Sequence, residues 1–285
     1  MTENKLQKPA TLKQKLMGKN IQEKFMSVIA NKEMEFAREA GFALQAISGN
    51  KKLMACTPTS MQIAIINAAA TGLTLNPVMK EAYLIPKGGK CVLEPSYQGL
   101  KKLMIESGCV LSTEAHVIYS NDDYEIDFAD DRKVIKHTPH YLLGKEKGEF
   151  VAVYDIAILP SRIKHVEIIP ADEIYKIRGK SEGYKYWAGH AEAKRKALNS
   201  PVWVEWFDQM AKKAVLKRHN NTIPKVSGLN TEAIHRAIEI DNQDYDLGKD
   251  KSNVKSEIFE DAEVIDEPKT DDNGNSSEKK AGSGK

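Results

Sequence analysis

The residues of this chain best suited to chemistry are cations set among aromatic rings. Arg178, Lys180, Lys185, Lys194, Arg195 and Lys196 surround Tyr184, Tyr186 and Trp187 in what reads as a glycine-punctuated loop. Tyr97, Lys101 and Lys102 lie together, and Lys212, Lys213, Lys217 and Arg218 close a long amphipathic segment. Cations neutralise phosphates, and a ring stacks on the π-face of an unpaired base for roughly 1–3 kcal/mol, so the pattern suits a single-stranded nucleic acid. Solvated lysines over core aromatics would give the same composition. For Trp203, Trp206 and Phe207 the helical phase favours the core.

Other chemistries find less support. Lys87-Gly88-Gly89-Lys90-Cys91 lacks the reach and the hydroxyl of a phosphate-binding loop and reads as a hairpin turn. A hairpin tip projects from the surface, so Lys87 and Lys90 remain candidates to touch a DNA backbone. Asp123 and Asp127 near Asp131-Arg132-Lys133 loosely match a magnesium-dependent nuclease, but these acids flank turns, where aspartate caps backbone amides. His137 and His140 read as surface histidines. Cys56, Cys91 and Cys109 form an odd, widely spaced set that fits neither a disulfide framework nor a zinc pattern, and read as reduced, semi-buried residues. No serine or cysteine sits in a recognisable nucleophile setting. The expectation is a non-enzyme with no required cofactor, magnesium serving at most as an accessory ion.

Those side chains need a body to position them. With 285 residues, 41% of them hydrophobic, the chain is long enough for a substantial core. No run of eighteen apolar residues or signal-like leader appears, so a soluble, cytoplasmic protein is expected. The net charge of +2 hides an asymmetry: residues 232–285 carry 15 acids against 8 bases, leaving the preceding 231 residues at +9. A basic body with an acidic tail suits a polyanionic partner.

Residues 1–18, lysine-rich and poor in apolar residues, read as flexible; 19–240 form the core, and 241–285 an acidic, disordered tail with a docking patch at 254–265. Helical periodicity begins near Asn20 and resumes through Phe36, Ala40, Leu44 and Ile47. Thr57-Pro58 opens an apolar helix over Met61–Ala70. Alternation on either side of Gly88-Gly89 predicts a hairpin, followed by a helix from Ser96 to Gly108. Strands are expected over Val110–Tyr119, Tyr124–Phe128, Val134–His137, Phe150–Leu159 and His165–Ile169, arranged as an antiparallel meander. A helix follows Pro170 and ends by Gly179. A single helix over Pro201–Asn220 is expected to lose its apolar pattern in the last turn and to emerge there with its cations exposed. A short helix spans Thr231–Ile240.

Three segments resemble the RecT recombinases of phages and prophages, which are related to the lambda Red-beta type. The first is Ala69-Ala70-Thr71-Gly72-Leu73-Thr74-Leu75-Asn76-Pro77 leading into Glu81-Ala82-Tyr83-Leu84-Ile85-Pro86. The second is Tyr97-Gln98-Gly99-Leu100-Lys101-Lys102-Leu103 with Ser107-Gly108. The third is Pro201-Val202-Trp203-Val204-Glu205-Trp206-Phe207-Asp208-Gln209-Met210-Ala211-Lys212-Lys213 with Arg218 and Pro224. The resemblance implies an α+β core whose sheet and helices form a deep basic groove. It implies ATP-independent coating of single-stranded DNA and annealing through a duplex intermediate, by a ring or helical homo-oligomer. It further implies a partner 5′→3′ exonuclease and a host single-strand-binding protein, and makes Lys212 and Lys213 the foremost DNA contacts. A passive single-strand-binding protein and a magnesium-dependent nuclease are the alternatives.

Overall fold

A computed structural model describes residues 11–129, 132–198, 200–224 and 231–242. The proposed patch at 254–265, most of the acidic tail and Asp131 lie outside these residues. The architecture is α+β, with helices packed around small antiparallel sheets.

Five helices open the chain: α1 (Leu12–Leu16), α2 (Lys19–Ser27), α3 (Phe36–Ser48), α4 (Lys51–Met54) and α5 (Pro58–Thr71). Of the N-terminus expected to be flexible up to residue 18, residues 1–10 lie outside the described residues and residues 12–16 form α1. Thr11 and Gln14 form a reciprocal capping box on α1, and Leu16 is fully buried in the core. Helix α5 starts as its sequence predicts, with Thr57 capping the Ser60 amide and Pro58 in the first turn. It ends at Gly72, whose φ of +70° returns its N–H to the helix carbonyls. Its Met61, Ala64, Ile65, Ile66, Ala68 and Ala69 are all buried, so it is wrapped by neighbours rather than amphipathic.

The hairpin β1 (Ala82–Lys87) and β2 (Lys90–Pro95) closes on Gly88 and Gly89, both at positive φ, as a two-residue turn requires. Helix α6 (Tyr97–Glu106) follows, capped by Ser96. The next five strands, β3 (Ser112–Tyr119), β4 (Asp123–Ala129), β5 (Arg132–Thr138), β6 (Phe150–Ile158) and β7 (Lys164–Pro170), do not form the expected meander. β3 pairs with β6 and β6 with β7, while β4 and β5 pair only with each other. Each predicted strand exists, but propensity carries no information on which partner lies across the ladder. On one sheet face Ala115, Val117, Val153, Ala157 and Ile169 join the main core; on the other, Ile118, Ala152 and Tyr154 pack with Ile135 of β5.

Helix α7 (Ala171–Lys180) lies where a helix is expected after Pro170, whereas α8 (Glu182–Ala188) and α9 (Glu192–Ala197) occupy a stretch expected to be loop. The predicted single helix from Pro201 is two: α10 (Val202–Glu205) and α11 (Phe207–Thr222), broken at Trp206 (φ −121°, ψ 42°). α11 packs against α6, β3, β6 and β7. Helix α12 (Glu232–Asn242) buries Ile234, Ala237, Ile238 and Ile240 against α5, β2 and α6. It runs two residues past the expected core boundary at 240, and Asp241, assigned by composition to the tail, is buried.

Candidate nucleic-acid interface

The cations singled out by sequence divide into an inward group and an outward group. The inward group lies on the hairpin, α6 and α11. Lys213 Nζ is 2.5 Å from Oε1 of Glu94, and also contacts Asp241; Lys217 Nζ is 2.6 Å from Oδ2 of Asp241. Lys87 reaches the same Glu94 at 2.9 Å. The expectation that the last turn of α11 exposes its cations is corrected at Lys217, which is mostly covered, while Arg218 is partly exposed; Lys213, expected on the polar half of the helix, is 5% exposed. Both meet Asp241 in the last turn of α12, a contact between segments distant in sequence that helical periodicity does not encode.

Burial raises the Glu94 pKa against the pull of Lys213, while at Asp241 the same burial is outweighed by Lys213 and then Lys217, which hold that carboxyl below the usual range. Asp241 therefore stays ionised, and Glu94 takes up a proton first. Burial lowers the Lys217 pKa, opposed by Asp241.

On α6, Lys102 donates to Glu81 (2.8 Å) and to the Gly72 carbonyl (3.1 Å), and Lys101 pairs with Glu114. Glu81 also accepts from the Thr74 amide, while Glu39 accepts from the Thr74 hydroxyl and the Leu75 amide, each at 2.7 Å. Two carboxylates thus pin the Gly72–Asn76 connection. Tyr97 is buried, which pushes its pKa up to about 12, and Lys212 Nζ lies 5.9 Å from its ring centroid. Arg218 pairs with Glu173.

The outward group lies on α7–α9. Between residues 178 and 196 there are six Lys or Arg against two Glu, a local charge of +4. Lys180, Lys185 and Lys194 are exposed with no acidic partner among the described residues; Lys196 pairs with Glu192 across one helical turn at 3.2 Å. Such an exposed pair holds its lysine weakly. Lys90, at the hairpin tip, is exposed as well. Arg178 sits between Tyr175 and Tyr184, its guanidinium carbon 4.7 and 4.6 Å from their centroids, and Arg195 lies 5.1 Å from Trp187. Tyr186 is 64% exposed and Trp206 58%. Trp203 is buried as its helical phase predicts and Phe207 is half-buried, but the break after Glu205 rotates Trp206 out of the core, so its assignment there is corrected. No residue type at 201–207 signals that break.

Of the acids in the nuclease arrangement, Asp131 lies outside the described residues. Asp123 is exposed and holds His140 at 2.9 Å, while its neighbour Asp122 caps the turn after β3, accepting from the Tyr119 and His140 amides. His137, expected on the surface, is buried between Asp122 (3.1 Å) and the Tyr154 hydroxyl (3.1 Å). The three cysteines are free and buried. Among the described residues no group of three His, Cys, Asp or Glu side chains converges as metal ligands, and no helix is long and apolar enough to cross a membrane.

Compared with known proteins, the chain matches the sequence model of the RecT family over residues 35–275. It is 27% identical over 197 residues to Protein RecT of Escherichia coli (strain K12), a match covering 66% of this chain and 65% of that protein.

Proposed function

Since the chain belongs to the RecT family, we propose that it is a recombination protein that binds single-stranded DNA and anneals complementary strands without hydrolysing a nucleotide. The family match carries this reading, and the outward face of α7–α9 supports it physically. Lys180, Lys185, Lys194 and Lys196 contact phosphates, with Arg178 and Arg195 fixing the rings beside them. Tyr186 and Trp206 offer exposed faces to bases, whatever the sequence, because every base has a π-face. Held by its backbone, the first strand keeps its pairing edges open to a second, and many weak contacts along a ring or helical multimer add up to a stable product only when pairing is correct. A 5′→3′ exonuclease supplies the strand and a host single-strand-binding protein hands it over, in the cytoplasm of a bacterial host.

The test is ATP-free annealing of long complementary fluorescent oligonucleotides by the native chain and by Lys185→Ala/Lys194→Ala/Lys196→Ala. These positions are exposed, so the fold survives. The expected result is fast annealing by the native chain, slowed in the variant. The logarithmic salt slope of binding should also flatten by about 0.7 for each phosphate that the variant no longer neutralises. Binding without annealing would point instead to a passive coat, and magnesium-dependent loss of the labelled strands to a nuclease.

A further inference from the structure

Lys213 and Lys217 stand one helical turn apart on α11, and both reach the carboxylate of Asp241 in the last turn of α12. Lys213 contacts one carboxylate oxygen and Lys217 the other, much as a phosphate bridges two cations. Asp241 is 1% exposed. Stability gives little reason for this arrangement, because desolvating the ions offsets most of their attraction and apolar side chains of similar volume often serve as well. Beside the trio lies a cavity of about 170 Å3, whose polar lining is Lys213, Lys217, Arg218, Asn221, Asp241 and Asn242. A cavity needs about 10–15 Å3 to hold one water, so a phosphate group has ample room. Asn221 is exposed and Arg218 partly so, which opens the mouth of the cavity to solvent. The side-chain oxygen of Asn242, on the cavity wall, is buried without a hydrogen-bond partner.

We propose that Asp241 stands in for a DNA phosphate, and that the cleft between α11 and α12 binds a backbone phosphate of single-stranded DNA once the last turn of α12 moves aside. The inference rests on the DNA-binding reading above and adds to it a second, gated site. Little has to move: Asp241 and Asn242 are the final residues of α12, and helix ends open at small cost while Ile234, Ala237 and Ile238 stay seated. Lys213 keeps Glu94 when Asp241 leaves, and Lys217 stays on the cavity wall to meet the incoming phosphate. Counting Lys87, Lys213 and Lys217 against Glu94 and Asp241, each in its charged form, the cluster passes from +1 to +2 when Asp241 leaves, and a phosphate restores the balance.

Two measurements decide it, both with the full chain and a homopolymeric dT oligonucleotide. Asp241→Asn should bind about tenfold more tightly, within the usual range of a coupling between sites, and with a steeper salt slope; adding Lys217→Gln should cancel the gain. In the native chain, amide exchange at residues 239–242 should speed up when the oligonucleotide is added, a readout that does not depend on any variant folding. If the native chain binds the oligonucleotide while those amides stay protected and Asp241→Asn binds no tighter, the gated site is wrong and the annealing reading stands. If exchange responds to sodium phosphate but not to the oligonucleotide, the cleft binds an anion other than DNA and the proposal fails. If neither chain binds the oligonucleotide, both readings fall.

Discussion

His165 and His219 stack with their ring centroids 5.1 Å apart, and Nδ1 of His165 lies 2.8 Å from Nε2 of His219. His219 is fully buried, its Nδ1 2.5 Å from the Asp155 carboxylate, which also accepts from Thr113. His219 meets Asp155 through Nδ1 and His165 through Nε2, so the chain of bonds runs inward from β7 through α11 to β6. Burial, then His219, lowers the His165 pKa, against the pull of Glu167; burial likewise lowers that of His116.

A group whose folded pKa is depressed contributes stability above its unfolded pKa, and that contribution is lost as pH falls through the folded value. The unfolded chain protonates these rings below about pH 6.5, before the folded chain does. Thermal melts should therefore show Tm declining as pH falls from about 6.5, and His165→Gln should shallow that decline. A melt as steep as the native one would show that His165 does not contribute.

Lys213 and Lys194 are both DNA contacts expected from sequence, yet one is core and the other surface. Lys213→Ala leaves Glu94 and Asp241 facing each other without their shared cation, and should cost about 3–5 kcal/mol in denaturant unfolding. Lys194→Ala should leave the midpoint within about 0.5 kcal/mol while weakening DNA binding.

Gly99 has its missing side chain pressed against backbone: a Cβ there would lie 2.2 Å from the Glu81 carbonyl oxygen. Gly99→Ala should destabilise by about 3 kcal/mol, the upper end of an overpacked core, because a carbonyl between two pinned segments cannot yield. Gly41, inside α3, has nothing within 4 Å of that position. Gly41→Ala should instead stabilise, by about 0.5–1 kcal/mol. Chemical denaturation of the pair measures the contrast.

Trp203→Ala opens a fully enclosed site and should cost about 3–5 kcal/mol, whereas Trp206→Ala should change stability by less than about 0.5 kcal/mol. Circular dichroism melts of the two variants would test the break between α10 and α11.

What is legible in the sequence follows a physical line. Local signals read correctly: Thr57-Pro58 opens a helix, Gly88-Gly89 turns a hairpin, and each strand of the central region shows in its residues. Pairing is not legible, because β3 meets β6 across an intervening hairpin and no local pattern records that. The candidate site divides the same way. Composition marks the exposed cations on α8 and α9, although as loop, since short charged helices have little periodicity to read. Lys213 and Lys217 are misplaced by sequence because their orientation depends on Asp241, a residue whose neighbours along the chain are those of an acidic tail. Trp206 is misplaced because a wheel assumes an unbroken helix.

The three tryptophans divide the molecule among three surroundings: Trp203 is sealed in the core, Trp206 stands in water, and Trp187 is half-covered beside the Arg195 guanidinium. Their ultraviolet emission should therefore separate by wavelength and by access to a quencher such as iodide. Trp206 would be quenched first and emit furthest to the red, while Trp203 would stay blue and shielded until the chain unfolds. A strand stacking on α8 would change the Trp187 signal without touching Trp203. The chain thus carries its own optical reporters for capture and for unfolding, with no dye attached.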